Sequence, residues 1–229
     1  MITYTFKRHE IKYLLTIEQY KKVIDSITPH LEIDQYGKSI IQSLYYDTPN
    51  KVLIRRSIEK PDYKEKFRIR SYGLASSNSK VFLEIKKKVE KIVYKRRILL
   101  TLEEANLFMD GKSEFDSQIA REIKYFKQYY EGLSPAMLLI YSRTAYCDNK
   151  SDLRITFDND IKFRDFDLGL DKGFYGESIL PNDMVMMEIK TSTAIPLWLT
   201  KILSENKIFK TSFSKYGTAY RMIKEREGK

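Results

Sequence analysis

The chain has 229 residues, 42% of them hydrophobic, and carries 41 Lys and Arg against 31 Asp and Glu, a formal charge of +10. That is enough apolar material for a core without staples, and the lone Cys147 excludes an internal disulfide or a cysteine zinc cluster. No signal peptide and no apolar run near the roughly 20 residues of a bilayer span occurs, so the expectation is a cytoplasmic protein with an anionic partner.

The elements alternate strands with inserted helices. Residues 6–14 read as a strand, and Thr16 caps a helix, TIEQYKKVIDSI, that stops before Pro29. KSIIQSLYYD (38–47) is β-rich and ends at the turn signal Asp47-Thr48-Pro49-Asn50, with a short helix following through Arg56. KEKFRIRSYG (64–73), KVFLEIKKKV (80–89) and KIVYKRRILL (91–100) read as a meander. Thr101 caps TLEEANLFMDG, and DSQIAREIKYFKQYY has helical spacing. Strands follow at 136–147 and 153–165, then a Gly- and Asp-rich loop at 167–183, the strand MVMMEIKT, a helix from Pro196, and a last helix from near Lys215. No linker divides the chain, so residues 1–229 are expected to form a single domain.

Alternate residues of a strand share a face, so the charges can be sorted. Lys64, Lys66, Arg68 and Arg70 oppose Phe67 and Ile69; Lys80, Glu84 and Lys86 join Phe82 opposite Val81, Leu83 and Ile85. Glu10 and Lys12 oppose Ile11 and Tyr13, Glu188 and Lys190 oppose Met187 and Ile189, and Tyr141 groups with Arg143, as Arg154 does with Thr156 and Asp158. The triplet Glu-Ile-Lys thus stands on strands at Glu10, Glu84 and Glu188; its fourth copy, at Glu122, falls in a helical pattern and carries no assignment.

A wet sheet face ordinarily mixes its charges, because like charges directly across a sheet repel. A basic majority on strand after strand points instead to an α+β fold in which a closed antiparallel β-barrel tunnel has a charged lumen, its apolar face turned outward under surrounding helices. Arginine forks and lysine point charges suit phosphate, and carboxylates among them suit Mg2+ or Mn2+ held jointly with phosphate oxygens. Glu10, Glu84 and Glu188 are the metal candidates, and Lys66 and Lys190 join the substrate-binding set. His9 and His30 form no i, i+4 metal pair, and no P-loop or Rossmann fingerprint is present.

In this order RHEIKY (8–13), SLYYDT (43–48), KFRIRSYG (66–73), VFLEIKKK (81–88), KRRI (95–98), YSRTAY (141–146), LRITFD (153–158), MEIKT (187–191) and FSKYGTAY (213–220) resemble the VTC domain of polyphosphate polymerases, within the CYTH-like triphosphate tunnel metalloenzymes. The resemblance implies the tunnel fold, with phosphate-binding positions at Lys12, Arg68, Arg70, Lys86, Arg143, Arg154, Ser214 and Lys215, and Tyr141 near the phosphates. Glu188 corresponds to the family's metal-holding glutamate. A further family lysine matches Lys95, Arg96 or Arg97, and alternation does not separate them; Arg97 is favoured.

The resemblance further implies ATP as donor: the terminal phosphate of a polyphosphate chain attacks the γ-phosphorus and ADP leaves. Tunnel triphosphatase activity and polyphosphate binding without turnover are the alternatives. Inward-facing arginines would not reach a duplex, so nucleic acid is not an expected partner, whereas a membrane partner stays open.

Overall fold

A computed structural model describes residues 9–59, 61–90 and 92–228. Residues 6–8 of the first expected strand, and Lys91 of the fifth, lie outside this range. Strand β1 (His9–Thr16) runs into helix α1 (Ile17–Ile27) through a capping box, in which the Thr16 side chain accepts from the Gln19 amide and Gln19 returns the bond. The chain continues through β2 (Glu32–Asp47), α2 (Val52–Glu59), β3 (Tyr63–Tyr72), β4 (Lys80–Val89) and β5 (Ile92–Thr101). A second capping box, Thr101 with Glu104, opens α3 (Leu102–Met109), followed by α4 (Gln118–Tyr129), β6 (Ser134–Cys147), β7 (Arg154–Arg164), β8 (Glu177–Ser178) and β9 (Met184–Thr191). Helix α5 (Leu197–Glu205), β10 (Lys210–Thr211) and α6 (Lys215–Glu227) complete it. The two-residue β8 and β10 carry no periodicity that a sequence could reveal. Among the described residues no helix is long and apolar enough to cross a membrane.

The strands form one antiparallel sheet in the order β10-β1-β9-β7-β6-β2-β3-β4-β5, with β8 on β7. Hydrogen bonds do not close it, which corrects the expected closed barrel: β5 and β10 end the order and no pairing joins them among the described residues. The sheet nevertheless wraps around an interior. Side chains from β1, β2, β3, β4, β5, β6 and β9 line one cavity of about 210 Å³, and Glu10 of β1 reaches Lys86 of β4 at 3.3 Å.

The helices depart from the expected arrangement in one respect. Helices α3 and α4 cover the convex face of β2–β5 over Phe67, Ile69, Leu83 and Ile85, while α1 and α5 cover Tyr13, Leu15, Ile155, Phe157 and Met187. Helix α6 lies on the opposite, concave face with α2, packing Tyr216, Ala219 and Ile223 against Tyr45, Met137, Leu139, Tyr141 and Met186. The interior is therefore apolar under α6 and charged beyond it. The reason is visible in β6 and β9, which carry the apolar runs Ala136–Tyr141 and Met184–Met187 where the sheet is buried on both faces.

Candidate active site

The cavity is walled by Lys12, Lys66, Arg68, Arg70, Lys86, Lys95, Arg143, Lys190 and Lys215, with Glu10, Glu84 and Glu188 as its acidic lining. Register explains this convergence: Arg68 stands opposite both Tyr45 and Glu84, Lys66 opposite Lys86, Lys86 opposite Lys95, and Lys12 opposite Glu188. Such a cluster of cations is electrostatically costly without anions between them.

Two carboxylates are spent on holding the arginines. Glu84, 2% exposed, accepts from Arg68 Nε at 2.7 Å and pairs through its other oxygen with Lys95. Asp158, fully buried beneath the cavity, receives the Arg143 fork at 2.6 and 2.7 Å and the Lys215 ammonium. Burial raises the pKa of both acids, yet the neighbouring cations outweigh it and keep each well below the usual carboxylate range. Arg70 is positioned by neutral groups, donating to Ser43 Oγ and the Tyr141 hydroxyl, both at 3.1 Å. The Tyr141 ring lies under Arg143 (5.2 Å) and Lys215 (4.7 Å), so it also supplies a π-face to two cations.

Glu188 differs from these acids. Its nearest cation is Lys190 at 3.8 Å, and among the described residues no donor hydrogen-bonds it. Burial again raises its pKa, and Lys190, Lys12, Lys215 and Arg143 reverse this, so it is ionised at neutral pH. Burial brings Lys66 and Lys95 down to about 8, against the pull of Tyr45 and Glu84 respectively. Tyr45 accepts from Arg68 at 2.9 Å and stacks on Tyr216 at 4.3 Å; burial pushes its hydroxyl up, but Arg68, Lys66 and Arg70 prevail and hold it at about 7.

The expected site residues sort accordingly. Lys12, Lys66, Arg68, Arg70, Lys86, Tyr141, Arg143, Glu188, Lys190, Ser214 and Lys215 come together around the cavity. Ser214 does so as the N-cap of α6, accepting from Gly217, which brings Lys215 to the interior. Arg97 does not line it: its guanidinium lies over the Phe82 ring at 4.6 Å, and Lys95 takes the interior position. Arg154 is in phase, opposite Lys190, but pairs with Asp34 at the edge of the interior and also stays out of the lining.

The three strand glutamates do not converge on one point; among the described residues no group of three or more acidic, His or Cys side chains does. Both oxygens of Glu84 are met by cations, one by Arg68 and the other by Lys95. Glu188 is left with its carboxylate open, which fits a hard divalent ion that draws its other ligands from phosphate oxygens and water. His30 stacks on Trp198 at 4.2 Å, a packing role, and Glu122 accepts two hydrogen bonds from Arg96 that tie α4 to β5. Two further residues belong to the site: Asp158, in phase with Arg154 on β7, and Tyr45, which meets Arg68 only through the register of β2 on β3.

A model of the VTC domain family matches residues 7–224. The chain belongs to that family. A comparison of this VTC domain with curated protein sequences gives no match. Among solved structures it is similar to a candidate adenylate cyclase from Bacillus halodurans (TM-score 0.58, 14% identity, 91% of this chain and 96% of that one). It is also similar to a candidate adenylyl cyclase from Hippeastrum described as having a dominant triphosphatase activity (TM-score 0.54, 17% identity, 90% and 92% covered). At these identities the likeness establishes the fold, which is that of the CYTH-like triphosphate tunnel proteins. Tunnel proteins of this kind bind triphosphates and generally depend on a divalent metal.

Proposed function

We propose that this VTC domain is a polyphosphate polymerase that transfers the ATP γ-phosphoryl group to the terminal phosphate of a growing chain. The observation that carries the proposal is the cavity itself, in which nine cations face one another and, among the described residues, Glu188 is the buried lining carboxylate that accepts no hydrogen bond, its ion pair with Lys190 standing at 3.8 Å. A row of phosphates would supply the missing counter-charge along its length.

In this reading Arg68, Arg70 and Arg143 hold the transferring phosphoryl group and its neighbours, each already oriented by Glu84, by Ser43 with Tyr141, and by Asp158. Lys12, Lys66, Lys86, Lys95, Lys190 and Lys215 neutralise the flanking phosphates, and Ser214 lies beside Lys215 at the start of α6. Glu188 would hold Mg2+ or Mn2+, which supplies charge neutralisation on the triphosphate when bound. The protein contributes positioning and fixed charge, which is most of what phosphoryl transfer requires, and the acceptor phosphate is the nucleophile.

Incubation with ATP and Mn2+ tests this. Long acid-labile phosphate polymer together with ADP is the expected product. Phosphate or pyrophosphate without polymer would overturn the polymerase reading in favour of a triphosphatase, the activity described for the Hippeastrum protein. Binding of polyphosphate without any turnover would overturn both enzymatic readings.

A further inference from the structure

From the rung of Arg70 onward the inner face of β3, β4 and β5 changes chemistry. Phe82 stands opposite Arg70 on one side and Leu99 on the other, and Tyr72 follows Arg70 in phase. Tyr72 and Leu99 are 52% and 51% exposed, and among the described residues none of the three joins an apolar core cluster. Tyr72 meets the Phe82 ring edge-on at 6.0 Å, and the Arg97 guanidinium covers that ring at 4.6 Å. An exposed ring, an aromatic edge, an aliphatic side chain and a stacked cation therefore lie beside the phosphate-binding arginines: Phe82 and Leu99 on the rung of Arg70, Arg97 on the rung of Arg68 and Glu84, and Tyr72 one step past Arg70.

On a face that otherwise presents mostly Lys, Arg and Glu, Tyr72 and Leu99 stand exposed beside a ring capped by a cation, a contiguous patch and not a scattered side chain. We infer that this patch is the platform for the nucleobase of the donor nucleotide. The inference rests on the proposal that a nucleoside triphosphate is the donor. Such a molecule is a polyanion joined through a sugar to a flat π-system, and the sheet presents partners for both side by side: Arg68 and Arg70 on β3, and across from them Phe82 of β4 with Arg97 of β5, with Tyr72 one step past Arg70. Stacking on a ring and on a guanidinium reads the π-face and no hydrogen-bonding edge, so it accepts any base. ATP and GTP should then bind within a few-fold of each other, both more tightly than tripolyphosphate at matched charge.

The test is equilibrium binding of ATP and of inorganic tripolyphosphate, both with Mg2+, to the whole chain and to Phe82→Ala, Phe82→Trp and Leu99→Ser. Phe82→Ala should weaken ATP about tenfold, within the range for a lost base–aromatic stack, and shift tripolyphosphate less than about twofold. Phe82→Trp should keep ATP affinity. Leu99→Ser, at an exposed position, should show the same selective loss in smaller measure and covers the case in which Phe82→Ala does not fold. An equal loss for both ligands, or no loss for ATP, overturns the platform. The two proposals fail separately: ATP binding that depends on Phe82 without polymer synthesis sinks the polymerase alone, while polymer synthesis with ATP binding indifferent to Phe82 sinks the platform alone.

Discussion

Glu10 of β1 and Lys86 of β4 meet at 3.3 Å although β9, β7, β6, β2 and β3 separate their strands in the sheet. A side-chain ion pair thus bridges an interior that no backbone ladder closes. Both groups are partly exposed, at 31% and 40%, so the pair should add at most about 1 kcal/mol to stability. Glu10→Gln is expected to leave the melting temperature nearly unchanged while tightening tripolyphosphate binding a few-fold, because Lys86 is released to the anion. Thermal melts and calorimetric titrations check the two halves.

Asp158 is placed to make the opposite change costly. Its substitution by Asn would leave Arg143 and Lys215 facing each other without the buried charge that compensates both. Losing one member of a buried ion cluster costs about 3 kcal/mol, which for a chain of this size lowers the melting temperature by roughly 10 °C. Tripolyphosphate should raise the melting temperature of D158N by more than it raises that of the wild type, since the anion replaces the lost carboxylate. A variant equally stable without ligand would refute the compensating role.

Glu188→Gln separates metal binding from anion binding. Metal-dependent turnover should fall by more than about 100-fold, exceeding the effect of residues that only support a metal ligand. Metal-free tripolyphosphate binding should hold or improve, because a negative charge has left the neighbourhood of Lys190 and Lys12. Activity titrated against Mn2+, with binding measured in chelator, reads both.

Lys66 and Lys95 sit at about 8 in the folded protein instead of 10.5. Between those values the unfolded chain keeps protons that the folded chain has released, so stability without ligand should rise as pH climbs from about 8 towards 10.5. Polyanion binding requires the charged lysines and should weaken over the same window. Near pH 8 binding should take up protons, measurable as a dependence of the binding heat on buffer ionisation. Release of protons would contradict the assignment.

Much of this was readable along single strands. The phase of Lys66, Arg68 and Arg70 against Phe67 and Ile69 predicts which groups face the cavity, because the side-chain period of a strand is two whatever its neighbours are. The Thr16 and Thr101 caps were legible because a capping box is complete within four residues. The pairing of Asp158 with Arg143 was not, since it depends on the register of β7 against β6 and on a bulge between Ile140 and Ser142. The choice of Lys95 over Arg97 likewise depends on where each long side chain finds a partner, Glu84 for one and the Phe82 ring for the other.

The sequence by itself determined the alternation of charge, the element order and the family motifs, all of which are local along the chain. Tertiary structure alone decided that the sheet stays open in its hydrogen bonding, that α6 enters the concave side, and that Glu188 has its nearest cation at 3.8 Å while Glu84 and Asp158 are held by close ion pairs. Those outcomes depend on which cations the packing brings within reach of each acid. Long-range packing sets that distance, and no periodicity encodes it.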